Sequence, residues 1–209
     1  MKKTIFLLMT SVMILSGSLH AQMLRIGPGA GVNMIKTPDH YTKEAPAGLG
    51  FGDEFAAGLK AKFSIPLLPL RITGQAFYTK LKSESDANIA GKNYNIGYSS
   101  SIFSLGVGAE MSLIPGPVSP YLGVELLINS FGELKVDSGN EVIGQSGKST
   151  DGFSRFGLGL GAGVEFTLLP KVDIDVSAKY NLNNMIGKES GEENINSLQI
   201  SGTLLFGIF

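Results

Sequence analysis

Apolar side chains alternate with glycine, serine or charged side chains along eight segments of this chain, each roughly ten residues long. In the clearest segment, one face carries Phe156, Leu158, Leu160, Ala162, Val164, Phe166 and Leu168. The opposite face carries Arg155, Gly157, Gly159, Gly161, Gly163, Glu165 and Thr167. A period of two predicts a β-strand with unlike faces, and a tilted strand of about 9–11 residues is long enough to cross a bilayer.

The alternation predicts eight strands, over Met23–Ile35, Phe55–Ile65, Leu70–Leu81, Ser101–Leu113, Tyr121–Ser130, Arg155–Leu168, Val172–Leu182 and Ser197–Phe209. Three joints are short and contain proline, at 66–69, 115–120 and 169–171, as expected of a residue that cannot donate to a strand ladder. The other four are long and polar, over 36–54, 82–100, 131–154 and 183–196. Short turns at one end and long loops at the other predict an all-β fold, an eight-stranded antiparallel up-and-down transmembrane β-barrel.

The polar face distinguishes a membrane barrel from a soluble one, because the strands of both alternate. A surface in contact with water normally has about a quarter to a third of charged residues. Here the polar face is mostly Gly, Ser, Thr and Asn, with one or two charges per strand. Such a face suits a narrow interior that long side chains from neighbouring strands cross. We therefore expect the apolar face to point outward into lipid.

Aromatic residues on the apolar face lie near the strand ends. Those toward the long loops are Phe55, Tyr78, Phe103, Phe156 and Tyr180. Those toward the short turns are Phe63, Phe166 and Phe206. Two such bands are typical of the interfacial girdles of a membrane barrel.

The first 21 residues have the order of a secretory signal peptide. Lys2 and Lys3 form a charged start, residues 5–15 are mostly apolar, and residues 16–21 are mostly small or polar. The apolar stretch is shorter than the about 18 residues that a membrane helix needs. We therefore expect a signal peptide over 1–21, cleaved after Ala21, and one barrel domain over 22–209.

Composition narrows the possible functions further. Without Lys2 and Lys3, 15 basic residues remain against 18 acidic ones, so no basic excess points to nucleic acid. The chain has no cysteine, which excludes a disulfide framework and thiolate metal ligands. The glycine run from Gly157 to Gly163 lies within a strand, whereas a dinucleotide site needs it between a strand and a helix. We expect no cofactor and no bound metal.

With this layout, the chain resembles the small eight-stranded outer-membrane proteins of Gram-negative bacteria, such as the OmpA membrane domain and OmpX, over its whole mature length. The resemblance implies an outer-membrane monomer with both termini in the periplasm, surrounded by lipid and lipopolysaccharide and inserted by the barrel-assembly machinery. In that family a terminal phenylalanine is part of the signal that this machinery reads, and Phe209 resembles it. The preceding bulky residues are offset by one position, and a bulge near the end of the strand would bring them into step.

Eleven charged residues are predicted to form an interior network: Arg25, Lys60, Lys62, Arg71, Glu110, Glu125, Arg155, Glu165, Asp173, Asp175 and Lys179. Buried charges persist only when they are paired and hydrogen-bonded. Counted from the short turns, Lys62, Glu110, Glu165 and Asp175 share the second inward level, which predicts a closed charge layer. The half of the barrel nearer the long loops has mostly small or uncharged inward residues and could hold water.

Three functions stay open from the sequence. An eight-stranded interior is just wide enough for side chains to fill. This favours a packed barrel with a structural or surface-interaction role, whose long loops are free to bind an extracellular ligand. A path through the charged interior would instead make a narrow channel for ions or small solutes. The third function is a lipid-modifying enzyme built on His40, but no serine can be tied to that histidine, so we expect a solvated loop histidine and no enzyme.

Overall fold

The computed structural model describes residues 24–44, 47–89, 92–138 and 149–208. The signal peptide predicted over residues 1–21 and the assembly signal predicted at Phe209 lie outside the described residues.

Eight long antiparallel strands form the barrel: β1 (Leu24–Thr37), β2 (Asp53–Ser64), β3 (Leu70–Ile89), β4 (Lys92–Ser112), β5 (Val118–Phe131), β8 (Phe153–Leu169), β9 (Val172–Ile186) and β10 (Asn196–Gly207). Each strand pairs with its neighbour along the chain, β5 pairs directly with β8, and pairing of β1 with β10 closes the sheet. The prediction of an eight-stranded up-and-down barrel is thereby confirmed. The three short proline-containing turns lie at one end, here called the turn end, and the other four connections lie at the opposite end, the loop end.

Three short elements lie in the loop-end connections. Helix α1 (Asp39–Thr42) follows β1, and the strands β6 (Leu134–Ser138) and β7 (Ser149–Thr150) lie between β5 and β8. Within the described ranges, no helix has both the length and the apolar character needed to cross a membrane.

The predicted loop over 82–100 is wrong in the structure, because β3 and β4 stay paired through it, as far as the partners Ile89 and Lys92. β6 then pairs with the outer part of β4, so this hairpin extends beyond the barrel wall as a small sheet. The prediction failed because it limited strands to bilayer length and took a polar stretch for a loop. Beyond the membrane, a ladder needs no apolar face to satisfy its backbone hydrogen bonds.

The described part of β10 contains no bulge that would bring the bulky residues of the last strand into step with Phe209. Its register with β9 is constant from the pair Asn196–Leu182 to the pair Phe206–Val172. Leu205 therefore faces inward and is fully buried, while Phe206 faces outward and is exposed.

Burial along the strands agrees with the predicted faces. In β8, Leu160 is 51% exposed on the outer surface, while its neighbour Gly159 is buried. All eight aromatic residues assigned to the two girdles are exposed as well. The apolar face thus covers the outside of the barrel, as the predicted membrane barrel requires.

Candidate functional site: the barrel interior and its loop-end mouth

Charged side chains fill the barrel near its turn end. Eight of them form what is here called the charge cluster: Arg25, Lys60, Lys62, Arg71, Glu110, Glu165, Asp173 and Asp175. Four cations face four carboxylates, so the cluster is neutral as a set when all its members are ionised. In a low-dielectric interior, buried charges are stable only when opposite charges balance them.

Lys62 lies at the centre of the charge cluster and is 1% exposed. Its Nζ is 2.8 Å from Glu110 Oε2 and 3.0 Å from Glu165 Oε2, and it also contacts Asp175. Lys60 lies beside it, with Nζ 2.8 Å from Glu110 Oε1 and 3.1 Å from Asp175 Oδ1. The two lysines thus share two carboxylates, so removing any one group leaves several partners unbalanced.

Two arginines close the charge cluster toward the turn end. Arg25 Nη1 lies 3.1 Å from Glu165 Oε1 and 2.6 Å from Asp173 Oδ2. Arg71 donates from Nη1 to Glu165 Oε2 at 3.1 Å and from Nη2 to the Ser119 hydroxyl at 3.1 Å. Both guanidinium groups are only partly buried, so the cluster ends where the barrel meets solvent.

Tyr121 completes the charge cluster, and sequence reasoning missed it. Its hydroxyl donates to Asp175 Oδ2 at 2.8 Å, and Lys62 Nζ lies 4.3 Å from the ring centroid. The ring fits because Gly163 has no side chain: a Cβ there would lie 2.4 Å from the Tyr121 hydroxyl oxygen. Tyr121 lies four residues before the inward-facing Glu125 on the same strand, so the two side chains share a face. This spacing could have predicted that Tyr121 faces inward.

A second, smaller layer lies above the charge cluster. Lys179 Nζ is 3.0 Å from Glu125 Oε2, and Gln75 donates to the same oxygen at 2.8 Å. The Lys179 stem crosses in front of Gly161, where a Cβ would lie 2.4 Å from Lys179 Cγ. With this pair, ten of the eleven residues predicted for the interior network lie together in two adjacent layers.

Arg155, the eleventh residue, does not join that network. It lies near the loop-end limit of β8, where its Nε and Nη2 donate to Glu192 Oε2 at 2.9 and 2.7 Å. Glu189 Oε1 is 3.4 Å from Nη2. The prediction was wrong because the alternation along a strand gives the direction of a side chain but does not show which loop residue will pair with it. Without Arg155, the ten network residues comprise five cations and five carboxylates.

Apolar side chains close the loop end of the barrel. The apolar cap consists of the buried residues Ile35, Phe51, Leu81, Ile102, Phe131 and Ile195. Four of them come from the inward faces of strands, and Phe51 and Ile195 come from connections that fold over the mouth. Asn129 and Asn183 lie below the cap, with an Asn129 amide donor 2.8 Å from the Asn183 carbonyl. In the half that the sequence left open to water, the described inward side chains therefore include buried amide and apolar groups.

Outside the apolar cap, the loops enclose a cavity of about 750 Å³ that is open to solvent. Its lining includes His40, Tyr41 and Arg155 together with several carboxylates. His40 Nδ1 lies 3.0 Å from Glu193 Oε2, and among the described residues no serine hydroxyl is hydrogen-bonded to this ring. Burial raises the pKa of Tyr41, and the negative charge of Glu192 adds to the increase.

Comparisons with known proteins identify the fold. The sequence profile described as "Outer membrane protein beta-barrel domain" matches residues 4–204. The crystal structure of Neisserial surface protein A is 22% identical over 88% of this chain and 97% of that chain, with a TM-score of 0.59. A major outer membrane protein from Thermus thermophilus is 14% identical over 88% of this chain and 98% of that chain, with a TM-score of 0.50. The search of curated proteins finds no match.

Replacing Glu165 tests the charge cluster. In Glu165→Gln, Arg25, Lys62 and Arg71 lose their shared carboxylate, and uncompensated buried charge typically costs about 3–5 kcal/mol. We expect a loss of that order in urea unfolding in lipid vesicles, followed by circular dichroism. The control is Asp39→Asn, which breaks an exposed ion pair with Lys43 and should cost less than about 1 kcal/mol. Equal costs for the two variants would contradict the assignment.

The Arg155–Glu192 contact predicts how the loop-end mouth responds to pH. Hydrogen bonding from Arg155 lowers the pKa of Glu192 to about 2. A depressed pKa stabilises the folded loop above the carboxyl's unfolded pKa of about 4.3, and the effect is lost as pH falls through the folded value. We therefore expect hydrogen-exchange protection of residues 187–195 to differ between the parent and Glu192→Gln at pH 6, and to converge only near pH 2. Convergence already at pH 5 would refute the contact.

Proposed function

Because this chain belongs to the family of outer membrane protein β-barrel domains, we propose that it serves as a non-conducting scaffold that presents its loop end at the cell surface. Its position in the outer membrane follows from the family. The scaffold role and the direction of the loops are the proposal.

The single observation that carries the proposal is the occupancy of the barrel at the level of Lys62. Every barrel strand except β10 contributes a side chain to the charge cluster or to its hydroxyl partner Tyr121. These groups reach across the lumen and bond to one another, and the central ones are at most 3% exposed. A permeating ion would have to break several charge-assisted bonds at once to pass between them.

The apolar cap supplies a second barrier at the opposite end. An ion that entered from the loop side would first lose its hydration against Leu81, Ile102 and Phe131, and apolar surfaces offer no replacement ligands. Two barriers of different chemistry in series favour a scaffold over the narrow channel that the sequence left open.

The loop-end cavity gives the scaffold a surface for interaction. It is formed by three connections that meet over the mouth, and it is held by the contact between Arg155 and Glu192 and by that between His40 and Glu193. His40 serves there as a link between connections. A binding surface for an extracellular ligand is therefore a better role for this region than catalysis.

The direction of the barrel is also part of the proposal. We assign the turn end and both chain termini to the periplasm and the loop end to the exterior. The first residues of β1 and the last of β10 pair at the turn end, beside the three short turns. The barrel-assembly machinery would reach the Phe209 end from that side. The closed barrel has no free strand edge for pairing with a second copy, which suits a monomer.

Conductance measurements test the scaffold role. The parent protein in planar bilayers should give no steady conductance steps, because the charge cluster and the apolar cap both fill the lumen. Phe51→Ala, which opens only the cap, should also stay closed, while an established porin serves as the positive control. Steady conduction by the parent, with Glu110→Ala altering only its ion selectivity, would replace the scaffold with the channel.

Cysteine labelling tests the direction, since the chain has no native cysteine. Ser190→Cys lies in the exposed loop after β9, and Lys171→Cys lies in the exposed turn before β9. In intact cells a membrane-impermeant maleimide should label the first variant, and the second only after the envelope is disrupted. The reverse pattern would invert the assigned direction.

A further inference from the structure

A pocket on the outer wall of the barrel lies apart from the interior and the loop-end mouth. It has a volume of about 320 Å³. Residues of β3, β4 and β6 and the connection before β6 line it: Tyr78, Lys80, Ser99, Ser100, Ser101, Glu133 and Lys135. It forms where β6 leaves the barrel wall and pairs with the outer part of β4.

The position of the pocket relative to the membrane follows from the aromatic girdle at the loop end. Tyr78 and Phe103 are paired, exposed members of the loop-end girdle, which marks the boundary between hydrocarbon and headgroups. Lys80 is the next outward position along β3, roughly 6–7 Å farther from the membrane centre before strand tilt is counted. Its ammonium group is therefore at the level of lipid headgroups.

The charges of the pocket favour an anion. Within the described part of the chain, neither Lys80 nor Lys135 has a carboxylate within ion-pair distance. Glu133 is the one acidic residue in the lining, which leaves an excess of one positive charge. The hydroxyls of Ser99 and Ser101 add uncharged donors, while that of Ser100 donates to the Gly132 carbonyl. Two ammonium groups beside hydroxyl donors suit a phosphate group.

We propose that this pocket binds a phosphate group of lipid A, the glycolipid anchor of lipopolysaccharide in the outer leaflet. The inference rests on the proposed direction of the loop end toward the exterior, because lipopolysaccharide lies in that leaflet only. The lysines hold the phosphate, the serine hydroxyls donate to its oxygens or to the adjoining sugar, and Tyr78 contacts the boundary with the acyl chains. Glu133 repels the phosphate and limits the affinity.

Native mass spectrometry of the purified, detergent-solubilised protein measures the binding directly. The three probes are lipid A, lipid A with its phosphates removed, and phosphatidylglycerol as a simple anionic lipid. One lysine near an anionic surface contributes about five-fold in binding, so Lys80→Ala with Lys135→Ala should weaken lipid A retention by about tenfold or more. Glu133→Gln should strengthen it, because the repulsion is removed.

Two variants control for charge and folding. Lys171→Ala removes one positive charge at the turn end and should retain lipid A as the parent does. Lys80→Arg with Lys135→Arg keeps both charges and should also retain it, and heat-modifiability on gels confirms that each variant is folded.

The outcomes separate the possible sources of anion. Loss of retention in the double alanine variant, together with weak binding of dephosphorylated lipid A to the parent, supports the site. Undiminished retention in that variant overturns it. Equal retention of phosphatidylglycerol, lost equally in the variant, overturns the assignment to lipid A in favour of a general attraction for anionic lipids. Retention in detergent does not depend on direction or conductance, so these failures are distinct from failure of the proposed function.

Discussion

Charge balance inside a narrow barrel is the constraint on which the rest of this structure depends. Eight strands leave an interior that side chains can fill but that leaves little space for water. Lys62 can lie there only because Glu110, Glu165 and Asp175 surround its ammonium group. Because these partners come from β4, β8 and β9, the same contacts connect strands that are distant in sequence.

The glycines of the inner face provide the space that the interior side chains need. Long charged side chains must pass in front of neighbouring strands to reach one another, and they need positions without side chains to do so. Gly161 leaves space for Lys179 and Gly163 for Tyr121. The alternation of glycine and apolar residues in β8 is therefore part of the interior packing as well as of the outer surface.

Strand parity predicted most of the interior from the sequence, because a period of two fixes the direction of each side chain. It placed Lys62 and Glu165 on one inward level, and the structure puts them in contact. It could not predict the partner of Arg155, because Glu192 comes from a loop whose path no periodicity describes. Phe51 and Ile195 of the apolar cap were missed for the same reason, since they reach the mouth from connections. The inward parity of Ile35, Leu81 and Ile102 could have placed these three residues in the cap.

A double-mutant cycle between Lys62 and Glu165 tests most directly whether the charges act as a set. The free energy of unfolding in lipid vesicles would be measured for the parent, Lys62→Met, Glu165→Gln and the double variant. The account predicts that the double variant is less destabilised than the sum of the single variants, by more than about 1 kcal/mol, because it removes a cation together with its carboxylate. Costs that add within about 0.5 kcal/mol would mean that the two residues act independently and would contradict the account.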